Sequence, residues 1–326
     1  MQRNRQLNYK FVKKKSCKLE TLAFSMDIMN KKTLQISLAE FSLAQSLYNS
    51  RLNHLDFPAK AKHDFGIHAV EYVSGFWNKK ANDPVYLKEL KQRTDDLGIQ
   101  NVLIMVDAEG ELGASNKNER NQAIENHYKW IEAAKYLGCF AIRANIDGEG
   151  SDKEIMNAAV DGYGRLLEFS SKENIHVIIE NHMTVSTNPD WLVELMKQVN
   201  HPYAGCLPDF GNFTRRKMPK EWSPETYKNA PVTAVYDKYE GVKKMMPYAK
   251  GISAKTILFD REGNCTDTDF SRMIPVVKKG ITPAFFGYIG IEYGGYFMKK
   301  IDDPGKYLDE EDAIWATKKL LEKTLL

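Results

Sequence analysis

The segment HVIIENHMTVSTNPDWLVELMKQV, residues 176–199, contains a short apolar run followed by a longer helical pattern. Its first four residues, HVII, are typical of a buried strand, and the polar residues ENH follow directly. A strand joined in this way to a helix predicts one unit of a parallel sheet, because a parallel crossover needs a helix to return the chain.

The same strand-and-helix unit occurs eight times from Leu34 onward. Eight units in about 290 residues predict a closed (β/α)8 TIM barrel rather than an open sheet. No GxGxxG motif follows the first strand, which argues against a dinucleotide-binding fold. The predicted strands are 34–41, 69–73, 101–107, 139–145, 176–181, 203–209, 251–255 and 287–293, and the predicted helices are 57–65, 84–98, 119–138, 151–173, 188–199, 236–246, 267–279 and 309–324.

The first 32 residues differ from the rest of the chain in charge. They contain nine Lys or Arg against Glu20 and Asp27, whereas the remainder has 37 basic and 41 acidic residues and sums to −4. This basic segment lacks apolar periodicity, which predicts a disordered extension or a stretch upstream of a real start at Met26 or Met29. We predict that 33–326 forms a single barrel domain. Its slightly acidic balance argues against a nucleic-acid partner.

The composition is that of a globular protein, with 43% hydrophobic and 27% charged residues. No apolar run approaches the ~20 residues that a membrane span needs, so no membrane partner is expected. The four cysteines are widely spaced without a CxxC pair, which fits a reducing compartment. A cytoplasmic location follows, although the N-terminal segment leaves export open, and a homo-oligomer is compatible with the sequence.

Every predicted strand ends in an ionisable side chain. A barrel enzyme takes its catalytic groups from the carboxyl ends of its strands, which converge on one mouth. Several carboxylates packed there repel one another unless a cation, a shared proton or a lysine compensates, and this convergence predicts a functional site. The strand-end residues, in chain order, are Glu40, Glu71, Asp107, Arg143 with Asn145, Glu180 with His182, Asp209, Lys255 and Glu292.

Three of these carboxylates, Glu180, Asp209 and Glu292, end the fifth, sixth and eighth predicted strands. Hard oxygen ligands of this kind predict a divalent metal, with Mn²⁺ or Mg²⁺ favoured. His182 lies two residues beyond Glu180, so a continued strand would point both to the same side. Its nitrogen would shift the preference toward manganese, cobalt or zinc, and we include it among the candidate metal ligands.

Four motifs, IIENH, LPDFGNF, ISAKTILFD and YIGIEYGG, occur in this order at the ends of the last four predicted strands. Together they resemble the sugar phosphate isomerase/epimerase group of the xylose isomerase-like TIM barrels. The resemblance covers about 34–325 and is specific for the superfamily rather than for a substrate. It implies that Glu180, Asp209 and Glu292 bind a divalent metal, and that Glu180 and Glu292 also move protons on opposite faces of a sugar.

Two positions depart from the pattern of that family. Many members have a metal-binding histidine on the seventh strand, where this chain reads Ser253, Ala254 and Lys255, and another histidine where this chain has Asn212. Either His182 and water complete a weaker metal site, or Lys255 takes the role of the cation. We favour the metal, because Lys255 alone would leave the carboxylates poorly balanced. Lys255 is also a catalytic candidate.

Other polar residues are candidates for holding substrate hydroxyls or a phosphate. No phosphate cradle with clustered glycines is present, so these residues do not specify a phosphorylated sugar. The substrate-binding candidates are Glu71, Asp107, His127, Arg143, Asn145, His182 and Asn212.

The chemistry that such a site predicts is removal of a proton from the carbon next to a carbonyl, through an enediolate. Return of the proton to the opposite face gives epimerisation, and transfer to the adjacent carbon gives aldose–ketose isomerisation. We therefore predict a metal-dependent sugar isomerase or epimerase with a small carbohydrate substrate. The alternatives are a lyase on 3-keto-glycosides with the same first step, a non-catalytic sugar-binding barrel, and an apurinic endonuclease-like phosphodiesterase. The last alternative needs a histidine-rich metal cluster and a basic DNA track, which this sequence lacks.

Overall fold

The computed structural model describes residues 34–219, 221 and 223–325. In this part of the chain, eight parallel strands form one sheet, and two short strands, β7 (Thr214–Arg216) and β8 (Val232–Val235), form a separate antiparallel pair. The predicted extension, 1–32, lies outside the described residues. The eight parallel strands are β1 (Gln35–Ala39), β2 (Ala69–Val73), β3 (Gln100–Met105), β4 (Ala141–Ala144), β5 (His176–Glu180), β6 (Ala204–Leu207), β9 (Ile252–Thr256) and β10 (Tyr288–Tyr293).

The parallel sheet closes on itself. Its order runs from β6 back through β5, β4, β3 and β2 to β1, and then through β10 to β9. The first and last of these strands meet at single bridges, Cys206 with Ala249 and Asp209 with Ser253, and the Phe210 N–H donates to the Ser253 carbonyl at 3.1 Å. The prediction of a (β/α)8 TIM barrel is confirmed.

Each barrel strand is followed by at least one helix, and all eight predicted helices are present. No helix in the described part of the chain is long and apolar enough to cross a membrane. The helices are α1 (Ala44–Tyr48), α2 (Phe57–Phe65), α3 (Pro84–Leu97), α4 (Lys117–Leu137), α5 (Asp152–Lys172), α6 (Pro189–Val199), α7 (Pro224–Asn229), α8 (Lys238–Met245), α9 (Phe270–Gly280), α10 (Gly295–Ile301) and α11 (Glu310–Leu325).

Local chemistry sets the helix ends, as α3 illustrates. The Asp83 carboxylate accepts the N–H groups of Val85 and Tyr86, and Pro84 occupies the first turn, where its missing N–H costs no hydrogen bond. Gly98 ends the helix with φ at 61°, a conformation that glycine adopts without steric cost. These signals explain why the sequence predicts this helix to within one residue.

The segment 210–235 lies between the predicted strand 203–209 and the predicted helix 236–246, where the sequence predicts neither strand nor helix, yet it contains regular structure. Strands β7 and β8 pair in it, with Thr214 opposite Val235 and Arg216 opposite Val232, and α7 lies between them. The prediction was wrong here because strands of three and four residues are too short to give a periodic signal. The segment follows β6, so it lies on the side of the barrel where the strand-end side chains are.

Strands β9 and β10 show how the sheet directs side chains to the interior. In their parallel register Gly290 lies beside Ser253, and Glu292 lies beside Lys255. Successive residues of a strand point to opposite faces, so Ser253 and Lys255 share the face that Gly290 and Glu292 occupy on the next strand. This face is the inside of the barrel at its carboxyl end.

Candidate active site

Three buried carboxylates lie together at the carboxyl ends of the strands. Glu180 is the last residue of β5, Asp209 follows β6 by two residues, and Glu292 lies near the end of β10. One oxygen from each lies within 4.8 Å of the others. Their exposed fractions are 1%, 0% and 5%. Like charges this close need nearby positive charge or protonation. We call these three residues the carboxylate cluster.

Lys255 supplies positive charge directly to the carboxylate cluster. Its Nζ lies 2.9 Å from Glu292 Oε1 and 3.5 Å from Asp209 Oδ2. Burial by itself lowers the pKa of Lys255, but the carboxylates of Asp209, Glu292 and Glu180 outweigh burial and raise it. The side chain therefore carries its charge inside the site.

Ser253 links two of the carboxyl groups. Its Oγ lies 2.6 Å from Asp209 Oδ2 and 2.9 Å from Glu292 Oε2. A hydroxyl has one hydrogen, so two arrangements fit these distances. Ser253 either donates to one carboxyl group and accepts a hydrogen bond from the other, which is then protonated, or it shares its single hydrogen between the two. In the sequence, Ser253 is notable only because it lies on the strand where many members of the resembling family have a metal-binding histidine. Strand alternation from Lys255 is the signal that places it in the site.

Arg143 joins the carboxylate cluster to a second group of predicted residues. Its Nε lies 2.9 Å from Glu180 Oε2, and its Nη1 donates to Asp107 Oδ1 at 2.7 Å. Asn145 Nδ2 donates to the same oxygen at 2.8 Å. Burial raises the pKa of Asp107, but Arg143 more than offsets this and the pKa is lowered to about 2. The structure thus brings three substrate-binding candidates together beside Glu180, with Asp107 ionised.

Two asparagines hold the carboxylates in place. Asn212 Nδ2 donates to Glu180 Oε1 at 3.0 Å, and its backbone N–H donates to Asp209 Oδ1 at 2.9 Å. Asn181 accepts the Asp209 N–H at 2.7 Å and donates to its carbonyl at 3.1 Å. Asn212 therefore contributes an orienting amide at the position where the resembling family often has a histidine. Asn181 was not among the predicted site residues, although it stands between Glu180 and His182.

His182 lies beside this group. Burial, followed by the positive charges of Arg143 and Lys255, lowers its pKa to about 3, so the ring is neutral at physiological pH. A neutral imidazole can act as a ligand or a hydrogen-bonding group. The ligand atoms found within 4.8 Å of one another in the described residues are those of the carboxylate cluster and do not include His182. Its role as a metal ligand stays a prediction.

Glu71 lies deeper in the barrel than the cluster. Its Oε1 accepts a hydrogen bond from Ser37 at 2.5 Å, and both of its carboxyl oxygens pack against Gly290, where an added Cβ would lie 2.6 Å from each. Gly290 precedes Glu292 by two residues and so marks the next inward-facing layer. Burial, with a smaller contribution from Glu292, raises the pKa of Glu71 to about 7. Its predicted contact with substrate would have to come from this buried layer.

This position predicts that Glu71→Gln stabilises the protein at pH 8 but has little effect near pH 4. With a pKa of about 7 against an ordinary 4.5, the folded protein holds a proton that the unfolded chain releases, so the carboxyl destabilises the fold as pH rises through this interval. The expected gain at pH 8 is up to about 3 kcal/mol. Urea unfolding at both pH values measures it, with exposed Glu225→Gln as control. Equal effects at pH 4 and pH 8 would contradict the shift.

The structure does not bring His127 into this group. The residue lies on α4, is buried, and hydrogen-bonds through Nδ1 to the Ala123 carbonyl one helical turn earlier. Burial lowers its pKa. A helical histidine whose ring is fixed on its own helix has a sufficient packing explanation, so its substrate-binding role rests on the sequence alone.

The two carboxyl groups predicted to move protons have opposite electrostatic environments. Burial raises the pKa of Glu180 to about 8, with Arg143 opposing the shift and the other two carboxylates adding to it. For Glu292, burial is outweighed by Lys255 and Ser253, and the pKa is lowered. Neutral pH therefore favours a protonated Glu180 beside an ionised Glu292. This arrangement matches an acid and a base held at one site.

The donor set of the carboxylate cluster fits a divalent cation. Three carboxylates converge, and Glu180 Oε2 accepts no well-aligned hydrogen bond from the described residues although it is buried. Oxygen ligands of this type suit hard divalent ions. Lys255 and Ser253 already contact Asp209 and Glu292, so a bound ion would share these oxygens with an ammonium and a hydroxyl. The cluster could hold a metal, and the ammonium would weaken its affinity.

We expect Asp209→Asn to lower the affinity for Mn²⁺ at least about tenfold, because it removes one of the three carboxylate ligands. The asparagine oxygen can still accept the N–H groups of Gly211 and Asn212, so the loop should stay folded. Calorimetric titration of metal-free protein with Mn²⁺ measures the change, and exposed Asp64→Asn serves as the matched control. Unchanged Mn²⁺ affinity in Asp209→Asn would exclude this site.

Comparison with known proteins agrees with the fold and the motifs. The sequence model of the xylose isomerase-like TIM barrel family matches residues 59–247. The chain belongs to this family. No curated protein shows significant sequence similarity to the chain.

Several solved structures share the whole barrel at low identity. A D-tagatose 3-epimerase-like protein is 16% identical, with 89% of this chain and 98% of that chain covered and a TM-score of 0.62. The IolI protein with a bound zinc atom is also 16% identical, with coverage of 90% and 98% and a TM-score of 0.62. A sugar phosphate isomerase/epimerase from Parabacteroides distasonis is 15% identical, with coverage of 90% and 96% and a TM-score of 0.61. At these identities the likeness concerns the fold alone.

Proposed function

We propose that this protein is a sugar epimerase or isomerase that removes a proton from the carbon next to a ketose carbonyl. The observation that carries the proposal is the pair of buried carboxyl groups, Glu180 with its pKa raised and Glu292 with its pKa lowered, in one cluster with Lys255. Such a pair supplies a base and an acid at neutral pH. The neighbours named as epimerases and isomerases support a carbohydrate substrate.

Each residue of the site has a part in this reaction. Ionised Glu292 abstracts the proton, and protonated Glu180 returns one, so the pair exchanges roles when the reaction runs backward. The Lys255 ammonium stabilises the negative charge that develops on the enediolate oxygen. Ser253, Asn212 and Arg143 orient the carboxyl groups through their hydrogen bonds and ion pairs.

A divalent ion held by the carboxylate cluster would polarise the substrate carbonyl and its neighbouring hydroxyl. Mn²⁺ and Mg²⁺ are the ions that these oxygen ligands favour, and a zinc-bound neighbour makes Zn²⁺ and Co²⁺ worth including in a metal panel. His182, neutral and adjacent, is the additional donor that we propose for such an ion.

Solvent deuterium exchange tests the reaction class without knowledge of the product. The protein, loaded in turn with each ion, is incubated in D₂O with a panel of ketoses and keto-sugars, and deuterium beside the carbonyl is followed by NMR. Proton abstraction precedes the choice between epimer and isomer, so exchange is expected even where net conversion is slow. A panel that binds sugars but incorporates no deuterium would replace the enzyme proposal with a sugar-binding barrel.

A further inference from the structure

A second cavity lies outside the carboxylate cluster. Its volume is about 370 Å³, within the usual range for small-molecule sites. Its walls come from the segments after β1 and after β2, and no residue of the carboxylate cluster lines it. The lining residues that define its chemistry and shape are Tyr48, Ser50, Phe76, Asn78, Lys80 and Tyr86.

A buried row of polar side chains ends at this cavity. Glu40 and His54 have exposed fractions of 0% and 6%, and Glu40 Oε1 lies 3.5 Å from His54 Nε2. The other ring nitrogen, Nδ1, is hydrogen-bonded to the Tyr86 hydroxyl, and Tyr86 lines the cavity. Glu40 Oε2 also accepts the Val73 N–H at the end of β2 at 2.9 Å, and no residue of the row belongs to the carboxylate cluster.

The position of the hydrogen on the His54 ring determines whether the Tyr86 hydroxyl is free to donate a hydrogen bond. Burial lowers the pKa of His54 to about 3, so its ring is neutral at pH 7, with a hydrogen on one nitrogen and an acceptor at the other. The tautomer with its hydrogen on Nδ1 is the one that leaves the Tyr86 hydroxyl free to donate. That N–H then donates to the Tyr86 oxygen, and the Tyr86 O–H is left to donate to another group.

The lining of the cavity includes a positive charge. Lys80 is a charged residue of the lining, and its Nζ lies 4.8 Å from the centroid of the Tyr86 ring. No carboxylate from the described part of the chain lines the cavity. The ammonium therefore lies over the ring that carries the tyrosine hydroxyl, and both groups can donate hydrogen bonds, as an anionic group requires.

Aromatic rings form part of the rest of the lining. Phe76, Tyr48 and Tyr86 contribute rings, and the Tyr48 and Phe76 rings lie 5.0 Å apart. Two lining residues, Ser50 and Asn78, have φ values of 55° and 47°, a conformation that costs energy for residues other than glycine.

We propose that this cavity is a second binding site that takes a small ring compound with a carboxylate group. The carboxylate accepts the Tyr86 O–H and pairs with the Lys80 ammonium, while the ring packs against Tyr48 and Phe76. His54, bonded through Nδ1 to the Tyr86 hydroxyl, acts as a positioning residue for it.

Benzoate is the probe for this site, and benzamide is its uncharged counterpart of the same shape. Calorimetric titration of the full-length protein should give saturable binding of benzoate, and benzamide should bind at least about tenfold more weakly, as loss of a charged hydrogen-bond partner predicts. Lys80→Met should weaken benzoate binding at least about tenfold, whereas exposed Lys79→Met, beside the cavity, should not change it. Asp209→Asn should also leave benzoate binding unchanged, because it alters the other site.

Tyr86→Phe completes the test, because it removes the donor while keeping the ring. It should weaken benzoate binding with little change for benzamide, and circular dichroism checks that it remains folded. If the variant unfolds, Lys80→Met, at an exposed position, still decides the question. Any of three results would show that the cavity is not a site for carboxylates. These are no saturable binding of benzoate, equal affinity for benzamide and benzoate, and an unchanged benzoate affinity in Lys80→Met.

Discussion

Replacement of Lys255 by methionine is expected to lower turnover about 100-fold to 1000-fold, the usual cost of removing one group that stabilises an oxyanion. The ammonium lies 2.9 Å from Glu292 and 3.5 Å from Asp209 inside a buried site, where charges are weakly screened. Methionine keeps much of the length and apolar volume of the lysine stem, so the barrel should stay folded. Initial rates, or deuterium exchange rates where the product is unknown, measure the effect.

The same substitution should raise the affinity of the carboxylate cluster for Mn²⁺. Without the ammonium, Asp209 and Glu292 lose their closest positive neighbour and Glu180 keeps only Arg143, so the carboxyl pKa values and the attraction for a cation both increase. Lower turnover together with tighter metal binding is a combination that simple unfolding cannot produce. Lys255→Arg keeps the charge but not the geometry and should be partly active, while exposed Lys243→Met is the surface control. Unchanged turnover in Lys255→Met would limit Lys255 to a structural role.

The sequence predicts the barrel well because its units are local and repeated. Each unit combines an apolar strand of four to eight residues with a longer helix, and signals such as Pro84 and Gly98 mark the helix ends without reference to the rest of the chain. Eight repeats also constrain the closure, since a shorter series would have fitted an open sheet. The β7–β8 hairpin was missed because its pairing joins short segments and depends on tertiary contact.

The strand ends predict which residues meet, but not how they are paired. Alternation and position along the strands are enough to place Glu180, Asp209, Glu292 and Lys255 at one mouth. The depth of Glu71 depends on Gly290, which leaves room for a carboxyl group from a different strand. That relationship lies between strands far apart in the sequence, and the pattern along one strand cannot contain it.

The pairing of Arg143 with Glu180 has the same origin. An arginine in a strand predicts a buried charge that must find a partner, yet Asp107, Glu180 and solvent are all possible partners in the sequence. The structure shows that Arg143 contacts both carboxylates, and its charge opposes the rise of the Glu180 pKa. The pKa values of the two glutamates separate because burial outweighs Arg143 at Glu180, whereas the direct contact with Lys255 outweighs burial at Glu292.

This separation of pKa values leads to the sharpest expectation for Glu292→Gln and Glu180→Gln. If the two carboxyl groups serve opposite faces of an enolisable sugar, Glu292→Gln should lower deuterium exchange about 100-fold to 10,000-fold for the epimer whose proton faces Glu292, the range that loss of a general base predicts. Exchange from the other epimer should persist, because Glu180 removes that proton. Glu180→Gln should lower exchange for the epimer whose proton faces Glu180 and leave exchange from the other epimer in place.

The pH dependence distinguishes the two carboxyl groups further. Exchange that Glu180 catalyses requires its ionised form, and its pKa is raised to about 8 in the unsubstituted protein, so that exchange should increase as pH rises above neutrality. Exchange that Glu292 catalyses should already be near its maximum at neutral pH, because Lys255 lowers the pKa of Glu292. The measurement is NMR of each purified epimer after incubation in D₂O, with exposed Glu194→Gln as the matched control. If both variants exchange both epimers at the rate of the unsubstituted protein, another group moves the proton.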